Sequence, residues 1–323
     1  MKKTILLIFI SIACYFSSTA QDVSAYQAGS YQPGLMNVRD LAPPPPGLVL
    51  IDYNFWNNSK SYIDKFGDEV SHLEMNGIEL DLDQQVSGYI NVPVLFYSKE
   101  FKLLNATYMA SINPVFMTSN YRANIHLSDT NATTTSNTGG FGDLAFLPLG
   151  LGWSKDRFDI SFFYTIYTPT GKYKTGADDN IGKGYWTHQF QVPFYMYFLE
   201  KATALFIMPT FEVNSKVKDS DVRAGSRMTI EYGISQYVTP WLELEVINGH
   251  NWQISDDNGD DVWWRDSPLD ARDQVSSIGF GAGVWPLEGI LNIRAKYSID
   301  YAVKQRYKSN FLSVSAIFIP KLK

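Results

Sequence analysis

The sequence predicts an all-β fold, a transmembrane antiparallel β-barrel of about 12 strands with short periplasmic turns and longer extracellular loops. Three observations support this fold class. About twelve segments alternate between apolar and polar residues. Most exceed the roughly five or six residues of a soluble strand and reach the roughly nine to eleven that a tilted strand needs to cross a bilayer. Tight turns alternate with long polar loops, an asymmetry typical of outer-membrane barrels.

The alternation also places the strands along the chain. The predicted strands lie near residues 47–58, 84–98, 101–118, 141–155, 157–170, 185–199, 202–215, 225–239, 241–255, 274–287, 290–302 and 307–320. The long polar loops occupy residues 59–80, 120–139, 171–184, 216–224 and 256–273. An even number of strands returns both chain ends to the same side of the membrane, which we expect to be the periplasm.

Each predicted strand has one apolar face and one polar face. In the segment RFDISFFYTIYT (157–168), Phe158 and Ile160 alternate with Asp159 and Ser161. A bilayer offers no water to backbone polar groups, and a closed barrel is the strand-based structure that pairs them all. We therefore expect the apolar face to meet lipid and the polar face to line a wet lumen. Several aromatic residues share the inward parity: Phe163, Tyr167, Tyr195, Tyr197 and Phe206.

The N-terminus has the features of a signal peptide over residues 1–20. Lys2 and Lys3 precede a short apolar stretch, and small residues precede Gln21. An alternative, in which Cys14 becomes a lipidated N-terminal cysteine, stays open. We expect a protein of the outer membrane of a Gram-negative bacterium, exported through a cleaved signal peptide. Its expected partners are outer-membrane lipid, the outer-membrane assembly machinery and a small-molecule solute.

Residues 21–46 are expected to form a periplasmic N-terminal linker that is Pro-rich at its end, before an outer-membrane β-barrel over residues 47–323. These residues are too few to fold a plug domain, so active uptake driven from the inner membrane is not expected. Without residues 1–20 the chain has 25 basic and 33 acidic side chains, a net charge of −8, and no cysteine. This composition excludes disulfide staples and a basic surface for nucleic acid. No cofactor motif is found.

The candidate site is a set of inward-facing polar residues. Its members are Arg227, Glu231, Glu243, Glu245, Arg294, Lys296, Asp300, Gln189 and Gln191. Glycines at 279, 281 and 283 leave one strand bare between the acids and the bases. We expect Arg294 and Lys296 to reach across this strand to the two glutamates and form a charged constriction. The alternative is ordinary ion pairing that only satisfies interior charges.

Two other chemistries have weaker support. Asp256, Asn258 and Asp260 follow the spacing of a calcium loop, but Asp261 stands where that loop requires glycine. A solvated loop is the competing interpretation, and no other metal site is expected.

A hydrolase would need an activated serine. His126 lies two residues before a serine, but neighbours at that spacing give no convincing catalytic geometry, so no catalytic residue is assigned.

Five segments resemble, in chain order, the outer-membrane barrels of the MetA pathway of phenol degradation. They are APPPPGLVLIDYNFW (42–56), GGFGDLAFLPLGLGW (139–153), YTPTGKY (167–173), DDNIGKGYW (178–186) and WQISDDNG (252–259). The resemblance covers essentially the whole chain after residue 20. It implies an outer-membrane channel or transporter that passes small aromatic or hydrophobic compounds by diffusion. A structural barrel with a closed lumen and an outer-membrane hydrolase are the alternatives.

Overall fold

The computed structural model describes residues 29–75, 78–101, 104–127, 130–175, 177, 179–260 and 272–320. The predicted signal peptide, residues 21–28 of the predicted linker and Asp261 lie outside the described residues. Within these ranges, no α-helix has the length and apolar character needed to cross a membrane.

The described residues form sixteen strands in one antiparallel sheet. In chain order they are β1 (Gly47–Ile63), β2 (His72–Met75), β3 (Ile78–Phe101), β4 (Ala106–Asn113), β5 (Phe116–Leu127), β6 (Thr130–Phe141), β7 (Leu144–Ser154), β8 (Phe158–Thr168), β9 (Thr187–Gln191), β10 (Phe194–Phe198), β11 (Thr203–Asn214), β12 (Arg227–Thr239), β13 (Leu242–Gln253), β14 (Gln274–Leu287), β15 (Leu291–Lys304) and β16 (Arg306–Phe318).

The sheet closes because β1 pairs with β16 on one side and with β3 on the other. Three wall strands are each built from two pieces, β4 with β5, β6 with β7, and β9 with β10, while β2 pairs only with β3. The wall therefore has 12 strands, and the predicted fold class is confirmed. Two of the interruptions contain Pro114 and Pro193, which have no N–H to donate to the ladder.

The two rims of the barrel differ as the sequence predicts. At the short-turn rim, the connections are residues 102–105, 155–157, 199–202, 240–241 and 288–290. At the opposite, long-loop rim, residues 169–186, 215–226 and 254–273 form long connections. One connection at that rim differs, because β15 and β16 are joined by the single residue Gln305, which adopts a positive φ of 56°.

The predicted loop at 120–139 is wrong in detail, because β5 and β6 continue through it as a paired hairpin. The hairpin extends past the top of β8, which pairs with β7 only as far as Leu144 and Thr168. Both faces of such an extension meet water, so its sequence has no apolar alternation. The period-two criterion therefore identifies membrane-crossing strands and overlooks strands beyond the membrane.

The faces of the wall follow the predicted alternation. Outward residues such as Phe198 and Phe280 are 47% and 52% exposed, whereas inward Gln189 and Glu231 are 1% and 0% exposed. The inward aromatic residues Phe163, Tyr195, Tyr197 and Phe206 are likewise buried. Apolar side chains thus cover the outside of the barrel, and polar, charged and aromatic side chains fill its interior.

The predicted periplasmic linker is wrong for its described part. Residues 29–46, called the inner segment below, run through the lumen. Near the long-loop rim the Ser30 N–H donates to Glu212 at 2.9 Å, and near the short-turn rim the Pro45 carbonyl accepts from Ser98 at 2.7 Å. Buried charges on the inner wall need hydrogen-bond partners, and this segment, which includes a turn over residues 38–41, supplies them from its backbone and side chains.

Candidate functional site

The lumen brings together all nine predicted site residues. Each lies on an inward face and is at most 6% exposed: Gln189, Gln191, Arg227, Glu231, Glu243, Glu245, Arg294, Lys296 and Asp300. They belong to strands β9, β12, β13 and β15. Alternation along neighbouring antiparallel strands is what places them on one concave surface.

Four of these residues form a charge cluster, Glu243 and Glu245 of β13 with Arg294 and Lys296 of β15. The Arg294 Nη2 donates to Glu243 Oε2 at 2.5 Å. The Arg294 Nη1 and Lys296 Nζ each lie 3.7 Å from a Glu245 oxygen. The last two separations are too long for hydrogen bonds, so they are charge attractions only.

Bare glycines of β14 make this reach possible. A Cβ added at Gly281 would lie 2.8 Å from Glu245 Oε1, and one at Gly283 would lie 2.8 Å from Arg294 Cγ. Either contact is shorter than a carbon side chain tolerates. The glycines therefore allow side chains from β13 and β15 to meet over β14, as the sequence predicts.

The inner segment supplies contacts to the charge cluster that sequence reasoning missed. Arg39 Nε donates to Glu243 Oε1 at 3.0 Å and to Ser235 at 2.6 Å. The Val38 N–H donates to Glu245 Oε2 at 2.9 Å. Lys296 Nζ donates to the Met36 carbonyl. The cluster therefore joins wall strands to the inner segment, and it is not confined to the wall.

Two acidic side chains hold the upstream part of the inner segment. Glu231 accepts hydrogen bonds from the Tyr31 hydroxyl and, at 2.5 Å, from the Gly34 N–H. Asp300 accepts from the Gln32 amide at 3.4 Å and from the Ser277 hydroxyl at 2.5 Å. These carboxylates are buried, so the donors replace the water that the charges lose.

A second ion-pair group lies toward the long-loop rim. Arg227 binds Asp273 with both terminal nitrogens, one of them at 3.0 Å, and Arg306 Nη1 lies 3.3 Å from the same carboxylate. Sequence reasoning missed Asp273 and Arg306. Asp273 follows a long polar loop and Arg306 starts the last strand, and residues at strand ends lack the alternation that identifies inward positions.

The two glutamines bond to wall residues of β11. Gln189 Nε2 donates to Glu212 Oε1 at 3.3 Å, and Gln191 Nε2 donates to Thr210 at 3.2 Å. The other Glu212 oxygen, Oε2, is buried without a hydrogen-bond partner. This part of the lumen is polar, and the Glu212 carboxylate lies near the cations Lys183 and Arg227.

Apolar clusters line the lumen mainly on strands β4, β7, β8, β10 and β11, and Ile247 extends one of them onto β13, the strand of Glu243 and Glu245. One contains Tyr195, Phe206, Met208 and Ile247 of the wall, with Tyr31 and Val38 of the inner segment against them. A second contains Met109, Leu147 and Phe163, with Leu41 of the inner segment against them. The inner segment is therefore held by charges on one side and by apolar packing on the other.

A cavity of about 420 Å³ opens at the short-turn rim beside the inner segment. Arg39, Lys201, Tyr237 and Trp285 are among its lining residues. The Arg39 guanidinium lies 4.7 Å from the centre of the Tyr237 ring. Arg39, which binds Glu243, therefore also faces this cavity.

The long-loop side of the lumen carries a half-buried lysine, Lys183. Its backbone N–H donates to Asp143 at 2.8 Å, which fixes the loop of residues 169–186 over the wall. Burial lowers the pKa of the Lys183 ammonium to about 8, although the nearby Glu212 carboxylate opposes this shift. A titratable cation therefore lies near the mouth of the barrel.

The weak calcium-loop candidate gains no support. Asp256 lies 2.7 Å from Arg272 Nε, and Asn258 pairs through its backbone with Arg223. No group of three or more potential metal-ligating side chains converges within the described residues. Asp260 is exposed.

A family model described as "Putative MetA-pathway of phenol degradation" matches residues 64–316, well over half of the sequence. The chain belongs to this family. Its members thus include a barrel with a segment of its own chain in the lumen. The segments quoted above at 139–153, 167–173, 178–186 and 252–259 fall inside the match. Among curated protein sequences, none matches this chain.

A solved outer-membrane channel has a similar fold, and two further solved structures are less similar. An outer membrane channel from Pseudomonas putida F1 has a TM-score of 0.64 at 15% identity, over 88% of this chain and 99% of that chain. The translocator domain of the autotransporter NalP from Neisseria meningitidis has a TM-score of 0.49 at 14% identity, over 88% and 92%. A Pseudomonas aeruginosa FadL homologue has a TM-score of 0.44 at 12% identity, over 93% and 97%. At these identities the similarity concerns the fold.

Proposed function

We propose that the protein is an outer-membrane channel that passes small aromatic or hydrophobic compounds by diffusion and that its inner segment gates the pore. The observation that carries this proposal is the unequal lining of the lumen. Aromatic and aliphatic side chains form one side, and the charge cluster forms the other. A small solute with an apolar ring and one polar group matches such a lining better than a sugar does.

The inner segment is the part of the pore that must move for a solute to pass. It contacts the apolar side through side chains such as Val38 and Leu41, and the hydrogen bond there, from the Leu41 N–H to the Tyr195 hydroxyl at 3.2 Å, joins two neutral groups. An apolar solute that enters between these side chains and the wall replaces one apolar contact with another. Displacement on this side therefore costs less than rupture of the hydrogen bonds around Glu231 and Glu243.

The proposed channel also has a defined orientation in the outer membrane and a role without catalysis. The short-turn rim faces the periplasm and the long-loop rim faces the outside, with export through the signal peptide and insertion by the outer-membrane assembly machinery. The role is not catalytic. His126 is exposed and its Nδ1 lies 2.8 Å from the Asn131 side chain, so it is poorly placed to activate a nucleophile. The polar residues of the lumen act as lining, and the charge cluster acts as the selectivity constriction.

One observation favours a second candidate, a structural barrel with a closed lumen. The inner segment crosses the barrel from rim to rim, and its charged partners are almost fully buried. If the segment never leaves, the charges only satisfy each other, and the barrel conducts nothing.

The test is solute flux into liposomes that contain the folded protein. Small monoaromatic acids and sugars of similar size are compared, with the wild type beside Phe206→Ser on the apolar side and Ser313→Ala on the polar side. The channel proposal expects aromatic flux above sugar flux, reduced by Phe206→Ser and unchanged by Ser313→Ala. Equal flux of both solute classes would indicate a plain water-filled pore. No flux from a barrel shown to be folded by its heat-modifiable gel shift would support the closed lumen.

A further inference from the structure

The outward face of β1 and β3 carries a polar network on a wall whose outward side chains are mostly apolar. The network, called the Asp52 patch below, consists of Asp52, Asn54, Tyr89 and Asn91. Asn54 Nδ2 donates to Asp52 Oδ2 at 2.8 Å, and Asn91 Nδ2 donates to Asp52 Oδ1 at 2.7 Å. The Tyr89 hydroxyl donates to Asn54 Oδ1 at 2.5 Å. Asp52 is exposed, and no cation among the described residues forms an ion pair with it.

The patch lies near the middle of the membrane-crossing band. Asp52 is five residues beyond Gly47, where β1 begins at the short-turn rim. A rise of about 3.3 Å per residue and a tilt of roughly 40° put it about 13 Å above that rim, halfway up an apolar band about 25 Å tall. At a similar distance from this rim, β11, β13 and β15 present Ile207, Val246 and Ala295.

A carboxylate at this depth is poorly matched to lipid. Hydrocarbon chains offer no donor to the remaining lone pairs of Asp52, and the polar headgroups lie at the rims. The side-chain amides of Asn54 and Asn91 each donate one hydrogen bond to this carboxylate, and its other lone pairs are left without a donor from lipid. An occupant of this face must therefore offer polar groups at the same depth.

A second copy of the chain meets this requirement by symmetry. A two-fold axis along the membrane normal preserves the orientation of both copies and brings residues of equal depth together. An amide has two N–H groups, and Asn54 uses one of them on its own Asp52. The second N–H can donate to Asp52 of the other copy, and the reverse contact follows from the symmetry.

The surroundings of the patch fit such an interface. Large apolar side chains border it and are 41% to 46% exposed: Leu50, Trp56, Leu95, Leu312 and Phe318. Trp56 packs against Tyr89 with ring centres 5.3 Å apart. We propose that the outward face of β1, β3 and β16 around Asp52 is the interface of a two-fold dimer of this chain.

Single-cysteine crosslinking in membranes tests the interface directly. Leu50→Cys and Asn58→Cys flank Asp52 on the outward face of β1, while Ile207→Cys on β11 and Leu244→Cys on β13 face away from it. A short bis-maleimide should convert the first two into a covalent dimer and leave the other two monomeric. The unsubstituted chain controls for Cys14. Equal crosslinking on both faces, or a product with the mass of a different protein, would overturn the proposal.

The polar network is then removed by Asp52→Leu, Asn54→Leu and Asn91→Leu together. These residues face outward, so the barrel should still show its heat-modifiable gel shift. Counting of fluorophore bleaching steps in nanodiscs should give two copies for the wild type and one for the triple variant. A wild type that counts as one copy, or a folded triple variant that remains dimeric, contradicts the proposal.

Discussion

Arg39 of the inner segment donates to the Glu243 carboxylate of β13 at 3.0 Å, and the two side chains are 13% and 1% exposed. This contact is a charged link between the inner segment and the wall. It lies beside the cavity at the short-turn rim. Arg39 also donates to the Ala202 carbonyl at 2.9 Å, so one guanidinium fixes the segment to two parts of the barrel.

Arg39→Ala should loosen the inner segment and increase ion conductance. A hydrogen bond to a charged group contributes about 1.5–3 kcal/mol, so the free energy of unfolding should fall by about 2 kcal/mol. Glu243 keeps its bond to Arg294, which limits the damage. Planar-bilayer recordings and the midpoint of heat modification measure the two effects. Arg122→Ala, at an exposed position on β5, is the matched control, and an equal change in both variants would contradict a specific role for Arg39.

Deletion of residues 29–42 should open the lumen without preventing closure of the wall. The deletion leaves the prolines at 43–46 and every wall strand intact, because β1 begins at Gly47. Discrete conductance steps should become larger than those of the wild type. The deletion also strips Glu231, Glu243 and Glu245 of inner-segment donors, so cation selectivity should increase. A folded but silent variant would show that other parts of the chain close the pore.

Gly281→Val should displace the Glu245 side chain from the charge cluster. The new Cβ would lie 2.8 Å from Glu245 Oε1, and overpacking of this kind costs roughly 1–3 kcal/mol. The heat-modification midpoint should fall. Ion selectivity should change because Lys296 loses the charge attraction of the Glu245 carboxylate. Ala282→Val, the neighbouring substitution toward lipid, should leave both properties unchanged. Equal effects at the two positions would argue against close approach at Gly281.

The ion selectivity of the proposed channel should depend on pH through Lys183. The pKa of this group is lowered by burial from its ordinary 10.5 to about 8, so the mouth loses a positive charge as pH rises from 7 to 9. Asp143, Glu212, Arg227 and Asp273 are the charged groups around it. The ratio of anion to cation permeability should fall over this range, and Lys183→Met should abolish the change.

The lowered pKa of Lys183 also determines how the free energy of unfolding changes with pH. The folded state favours neutral Lys183, so burial of the ammonium costs stability below about pH 8, and this cost disappears as pH approaches 10.5. The free energy of unfolding of the wild type should therefore rise between pH 8 and 10.5 relative to Lys183→Met. Parallel curves for the two proteins would contradict burial of the charged form.

The sequence predicted the wall far better than the contents of the lumen. Inward residues such as Glu231 and Lys296 are identified by alternation, because a strand that separates lipid from water repeats every two residues. The inner segment has no such repeat. Its contacts are made by single groups, such as the Gly34 N–H and the Arg39 guanidinium, whose carboxylate partners lie about 200 residues away. Only the folded arrangement identifies these pairs.

Closure of the wall by β1 and β16 also limits the order of folding. Leu50 pairs with Phe318, so the seam joins nearly the two ends of the described chain, and contacts of such high sequence separation form late. The inner segment directly precedes β1 and lies inside the ring that this seam completes. If the seam closes last, the wall forms around the inner segment, and the segment does not have to be threaded into a closed ring.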